Sequence, residues 1–292
     1  MSIKATLFTD PGCPWAYSAS PALAVLRWRY REGLDWELCT VGLAEAAKQY
    51  EERGYTPACH ARHYGVFRER FGMPFAAQLR ARLLATGRAC RAIVAARLQR
   101  PGSEWQVLRA LQFAWFTSDA LLDEDAVLYS TLAAALGEDP RELIDALDSP
   151  QVEAAYQDDL ARTRSAAGSP TEFQGKAATS DGPVRYTAPS VIFQAADGQQ
   201  LEAGGFQPIE AYDVLIANLD PSLERHPPPE SPLAALELYP SGLTTQEVAE
   251  ILRENLAAVN RRQAEAELID LVAAGEVRRT SLASDALWLP AG

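Results

Sequence analysis

The chain's most constraining feature is a junction near its start. Residues 3–9, IKATLFT, are apolar and β-rich, and Asp10-Pro11-Gly12 ends the run in a turn. Cys13 follows, then Pro14, which suits the first helical turn because its missing N–H has no intrahelical partner there. A helical run extends to about Tyr30, with Val25, Leu26 and Trp28 on its apolar side. Residues 35–43, DWELCTVGL, read as a second strand after the turn at Gly33. Strand, helix, strand is a βαβ unit, whose right-handed crossover makes the strands parallel.

From about 44 to 165 the pattern is helical. ARHYGVFRERFG, FAAQLRARLLATG, CRAIVAARLQR, EWQVLRALQFAWFTSD, EDAVLYSTLAAALG and PRELIDAL each carry apolar residues at three-and-four spacing. Gly87 and Gly137 read as helix ends, and Asp139-Pro140 as another helix start. The β pattern returns in VRYTAPSVIFQ at 184–194, and a turn at Ala196-Asp197-Gly198 predicts a hairpin with the segment that follows. QPIEAYDVLIANL predicts a helix. The order is βαβ, a helical block, ββα: an α/β frame with a large all-helical insertion. HPPPESP at 226–232 predicts an extended linker between a domain over 1–225 and a second over 233–292. Three helices and a β-hairpin are expected there, with Thr244 or Thr245 as a cap, a small winged-helix-like module.

Composition narrows the function. The 292 residues carry a net charge of −12, which disfavours nucleic acid and anionic membranes as partners. No apolar run reaches about 18 residues, so no membrane span is expected. The start, MSIKATLFTD, lacks an apolar signal region. The four cysteines, at 13, 39, 59 and 90, show no paired framework spacing, so free thiols in a reducing cytoplasm are expected. Cys59, His60 and His63 fit a solvated helix face better than a metal site, and no metal is expected. Residues 230–292 hold five arginines against ten acidic residues, with Arg261, Arg262, Arg278 and Arg279 as the local basic cluster. That balance disfavours DNA and favours protein docking, self-association or packing over the site rim.

The chemistry points to Cys13. A cysteine where a strand hands over to a helix faces unsatisfied N–H groups and the positive end of the helix dipole, which favours thiolate over thiol. Gly12 and Pro14 build a tight turn expected to present the sulfur at a rim; the alternative is a buried cysteine packing as a small hydrophobe. Trp15, Tyr17 and Phe113-Ala114-Trp115-Phe116 could line a groove, although aromatics at helical spacing more often build core.

FTDPGCPWAY resembles the active-site start of the DsbA-like branch of the thioredoxin superfamily, which includes FrnE-like proteins, 2-hydroxychromene-2-carboxylate isomerases and kappa-class glutathione transferases. TGRACRAIVAARLQRPGSEWQVLRALQFAWFTSD, and SPTEFQG followed by RYTAPSVIF, resemble the same branch, so the resemblance covers about residues 1–220. It implies a thioredoxin fold with a helical insertion and Cys13 as nucleophile. It also implies a substrate-binding rim of Pro14, Trp15, Ala188 and Pro189, with a cis Ala188–Pro189 bond and the Ala188 backbone pairing with a peptide or glutathione.

One departure matters most. Redox-active members carry a second cysteine where this chain has Ala16. A mixed disulfide at Cys13 must then be resolved by glutathione, by a partner thiol, or by a thiol elsewhere in the chain. Cys39, near the same end of the sheet, is the internal candidate, provided the two Cα atoms come within about 7 Å; Cys90 is expected to pack in a helix and Cys59 to be incidental. Three functions follow: a monothiol thiol–disulfide oxidoreductase, a glutathione-dependent transferase or isomerase, and a non-enzymatic redox-sensing adaptor. The isomerase and kappa relatives place a serine where Cys13 stands. No bound cofactor is expected, with glutathione the candidate co-substrate, and the expected partners are protein thiols or disulfides, glutathione, or a second copy of the chain.

Overall fold

The computed structural model describes residues 2–291. β1 (Ile3–Thr9) leads through the turn at residues 10–12 into α1 (Pro14–Ser18) and α2 (Ser20–Tyr30), and the chain returns as β2 (Leu34–Thr40). β1 and β2 pair in parallel, with Phe8 opposite Cys39. The insertion contains α3 (Lys48–Glu52), α4 (Pro57–Phe71), α5 (Gly87–Gln99), α6 (Glu104–Thr117), α7 (Asp125–Leu136), α8 (Arg141–Asp145) and α9 (Pro150–Thr163). After α10 (Pro170–Phe173), β3 (Ala177–Ala178) and β4 (Arg185–Tyr186) make a small separate pair. β5 (Ser190–Gln194) and β6 (Gln200–Ala203) then form the expected hairpin, followed by α11 (Ile209–Leu219). The sheet order is β2-β1-β5-β6, with β5 antiparallel to β1. β1 is central, which is why six of its seven residues are buried.

Three expectations change. FAAQLRARLLATG is not helical: residues 72–86 form no helix or strand. Pro74 opens the segment, and its polar groups serve the end of α6 instead of a helix of their own. The last carbonyls of α6 lack intrahelical partners. Ala76 N–H donates to the Phe116 carbonyl at 2.8 Å, and the buried Arg80 donates to the carbonyls of Trp115 and Ser118. Gly87 opens α5 rather than closing a helix, and a Cβ there would lie 2.6 Å from the Glu45 carboxylate. VRYTAPSVIFQ is two short strands, interrupted at residues 187–189. Gly137 does end its helix, in the left-handed conformation (φ 70°).

The C-terminal unit comprises α12 (Pro232–Glu237), β7 (Leu243–Thr244), α13 (Thr245–Ile251), α14 (Arg261–Ala273), β8 (Val277–Leu282) and β9 (Asp285–Pro290), with strand order β7-β9-β8. Thr244 caps α13 in a reciprocal capping box with Glu247. One hydrophobic core runs from Ile3, Ala5 and Leu7 through Val25 and Leu26 to Val248, Ile251 and Trp288, so this unit packs directly on α2. The proline-rich segment is strapped to α2 as well. His226 N–H donates to the Arg29 carbonyl, and the Trp28 indole N–H to the Pro227 carbonyl, each at 2.8 Å. A second core fills the insertion, from Ile93 and Val94 to Leu111 and Phe116.

Candidate active site

Asp10 shapes the turn that carries Cys13. Its carbonyl accepts from Cys13 N–H at 3.1 Å. Its fully buried carboxylate accepts from Gly12 N–H at 2.8 Å, from Leu43 N–H at 2.9 Å, and from the Cys90 thiol at 3.5 Å. Burial raises the Asp10 pKa against the pull of those N–H groups. Gly12 has no room for a side chain: a Cβ would lie 2.7 Å from Thr86 and 2.8 Å from the Trp115 ring.

Cys13 is the N-cap of α1. It is only 6% exposed, in an apolar cluster with Phe8, Ala16, Cys39 and Ala188. Its thiol donates to the Ala188 carbonyl at 3.0 Å. The expected thiolate-favouring environment is therefore corrected. Burial pushes the Cys13 thiol up to about 12, and the field of Asp10 adds to it. The N–H groups of Ala16 and Trp15 and the charge of Arg185 act in the opposite direction and do not win. Nor does the sulfur stand at a rim; it belongs to the wall of a cleft of about 510 Å³.

Pro14 and Trp15 line that cleft with it, as do Tyr50, Tyr55, His60 and Tyr64 from α4 and the segment before it. Trp15, 40% exposed, meets Phe67, Phe71 and Phe206 edge-on. Of the other aromatics, Trp115 joins the cleft, while Tyr17 and Phe116 stack on each other in the core. The helix face bearing His60 and His63 is a wall of this cleft rather than a purely solvated surface. His60 packs against Tyr50 and Tyr55, and burial lowers its pKa to about 4, with Arg80 adding to the effect. Among the described residues, no group of three or more His, Cys, Asp or Glu side chains could hold a metal ion.

The Ala188–Pro189 peptide is cis. Both residues are buried, and the Ala188 carbonyl accepts from the Cys13 thiol. Cys39 is fully buried on β2 and its thiol points to the Asp159 carbonyl of α9 at 3.6 Å. It shares the apolar cluster with Cys13 but does not line the cleft, and both are free thiols. Cys90 packs in the core, while Cys59 lies 3.9 Å from the His63 ring.

Sequence reasoning missed Asp10 and the arginines of the cleft, Arg53, Arg80, Arg82 and Arg185. Asp followed by Pro-Gly is an Asx-turn signature that marks Asp10 as a turn organiser. The arginines come from three distant stretches, and no local signal groups them.

No protein-family model matches the chain, and no curated protein matches it. Solved structures do. A provisional protein disulfide isomerase from Nitrosomonas europaea matches at 17% identity and a TM-score of 0.56, over 75% of this chain and 97% of its own. The cytosolic disulfide reductase DsbM from Pseudomonas aeruginosa matches at 21% and 0.52, over 75% and 98%; it also has a structure with glutathione. A probable DsbA oxidoreductase from Streptomyces coelicolor matches at 16% and 0.51, over 75% and 91%. At such identities the likeness is one of fold, and the fold is thioredoxin-like.

Proposed function

We propose that the chain is a thiol–disulfide oxidoreductase acting through the single thiol of Cys13. The observation that carries this reading is the placement of Cys13 at the head of α1, in the wall of an arginine-bearing cleft, against the Ala188 carbonyl. Cys13, as thiolate, attacks a disulfide R–S–S–R′. The Cys13 Sγ–S–R bond forms as the disulfide bond of R–S–S–R′ breaks; R′–S⁻ leaves and takes up from solvent the equivalent of the proton that Cys13 gave up on ionising. A glutathione thiolate then attacks the R sulfur; the glutathione–S–S–R bond forms, the Cys13 Sγ–S–R bond breaks, and Cys13 leaves as thiolate and is reprotonated. Ala16 offers no internal alternative.

Burial opposes the thiolate but not the neutral mixed disulfide. A high-pKa sulfur is also a poor leaving group, so release of Cys13 from the adduct is expected to be the slower step. Glutathione suits the cleft, because one of its two carboxylates can meet the exposed Arg53; Arg185 is buried and already paired with Asp181. All four cysteines are free thiols, in keeping with a reducing cytoplasm. We read the C-terminal unit, from its order of three helices and three strands, as a winged-helix-like module for protein contacts. Its acidic balance argues against DNA.

The test is incubation with oxidised glutathione, followed by peptide mass analysis and a reductase assay on a glutathionylated peptide. An adduct on Cys13, and loss of turnover in Cys13→Ser, is the expected result. Wild-type turnover in the Cys13→Ser variant would refute the reading. The raised Cys13 pKa favours a second one: a thiol that stays protonated can donate to the sulfur of bound glutathione, as a hydroxyl would, in a transferase or isomerase. Cys13→Ser would then preserve activity on an electrophilic substrate.

A further inference from the structure

A second cavity, of about 720 Å³, lies between α2, β2, α6 and the C-terminal unit and shares no lining residue with the Cys13 cleft. Its lining carries three arginines, Arg27, Arg31 and Arg109, against two carboxylates, Glu32 and Glu247. The Arg27 guanidinium stacks on the Trp105 ring, 3.9 Å from its centroid, and lies 5.2 Å from that of Trp36. Nη2 of Arg27 and the indole N–H of Trp36 are buried with no hydrogen-bond partner among the described residues, and so is Nε of Arg109. Of the carboxylates nearby, Glu32 is exposed to solvent in the turn after α2, and the other two are engaged elsewhere. Glu247 binds Arg109, Ser20 and Thr244, and Glu104 accepts from Gly102 N–H at 2.7 Å.

Buried donors left unmatched are costly, and a guanidinium whose face is stacked presents its N–H groups in the plane, where a carboxylate fits. Burial lowers the Arg27 pKa to about 10, so it remains charged at neutral pH. Leu23, Leu108 and Leu238 supply apolar walls. We propose that this cavity binds a small organic carboxylate with an apolar, ring-sized body, its carboxylate held by Arg27 and the Trp36 N–H. Tyr239 and Leu243 of the C-terminal unit line the same space, so the ligand bridges that unit to the thioredoxin frame.

The test is isothermal titration of the full-length protein with 2-naphthoate and with the uncharged 2-naphthylmethanol. Saturable one-to-one binding of naphthoate is expected, about tenfold or more tighter than the alcohol, with a similar loss in Arg27→Met. Binding persists in Cys13→Ser, which separates this cavity from the other cleft. Should Arg27→Met fail to fold, Trp36→Phe keeps the ring and removes the donor, and it is expected to weaken naphthoate about fivefold or more. No binding to the wild type, equal affinity for the alcohol, loss of binding in Cys13→Ser, or undiminished affinity in a folded Arg27→Met or Trp36→Phe variant overturns the proposal.

Discussion

At Cys13 the helix end and the burial of the sulfur act in opposite directions, and burial wins. The thiol is held near 12 rather than below the free-cysteine range. Alkylation of Cys13 by iodoacetamide is therefore expected to be slow at pH 7 and still rising above pH 10, read by peptide mass at each pH. A plateau below pH 9 would mean that the thiolate forms readily. The same shift bears on stability. The unfolded chain ionises this thiol first, so its contribution is complete below the ordinary value of 9.0 and is lost as pH climbs towards 12. Next to it, Gly12→Ala forces a Cβ into Thr86 and Trp115, with an expected cost of about 1–3 kcal/mol by denaturant unfolding.

Among the elements, α13 joins the shared core through Val248 and Ile251, and its polar tie is the side chain of Glu247. Glu247 caps its own helix, pairs with Arg109 on α6 at 2.7 Å, and accepts from Ser20 on α2. Burial opposes its charge, yet Arg109 outweighs this and keeps the carboxyl below its ordinary 4.5. Glu247→Gln leaves Arg109 without its counter-charge and is expected to cost about 3 kcal/mol in denaturant unfolding; a change under 0.5 kcal/mol would show that the pair contributes little. On the sheet, Arg162 and Lys4 hold Glu37 at about 2 in spite of burial. Both carboxylates are depressed in the folded state, so their stabilisation is present above pH 4.5 and fades as pH falls below it, for Glu37 towards 2. Acid titration followed by circular dichroism is expected to show loss of structure in that window, and earlier in Glu247→Gln.

For the whole molecule, the shared core predicts how the chain unfolds. Leu7, Val25 and Leu26 pack with Val248 and Trp288, and residues 226–227 are hydrogen-bonded to α2. A single cooperative transition is expected, with tryptophan fluorescence and far-ultraviolet circular dichroism coinciding; two separated transitions would mark the proline-rich segment as a boundary between independent folding units. A chain cut after residue 225 exposes the apolar face of α2 and is expected to aggregate, as light scattering would show.

Local patterns in the sequence determined the βαβ start, the helical insertion, the hairpin after residue 189 and the place of Cys13 at the head of a helix. Each is specified by periodicity, turn residues or a proline within a few positions. Only the tertiary structure decided the protonation of Cys13, the irregular run at 72–86 and the cavity around Arg27. Those depend on burial and on partners far away in the chain: Ala188 is 175 residues from Cys13, and Trp105 is 78 from Arg27. Solvent exclusion and hydrogen-bond satisfaction belong to the packed molecule, and no window of sequence contains them.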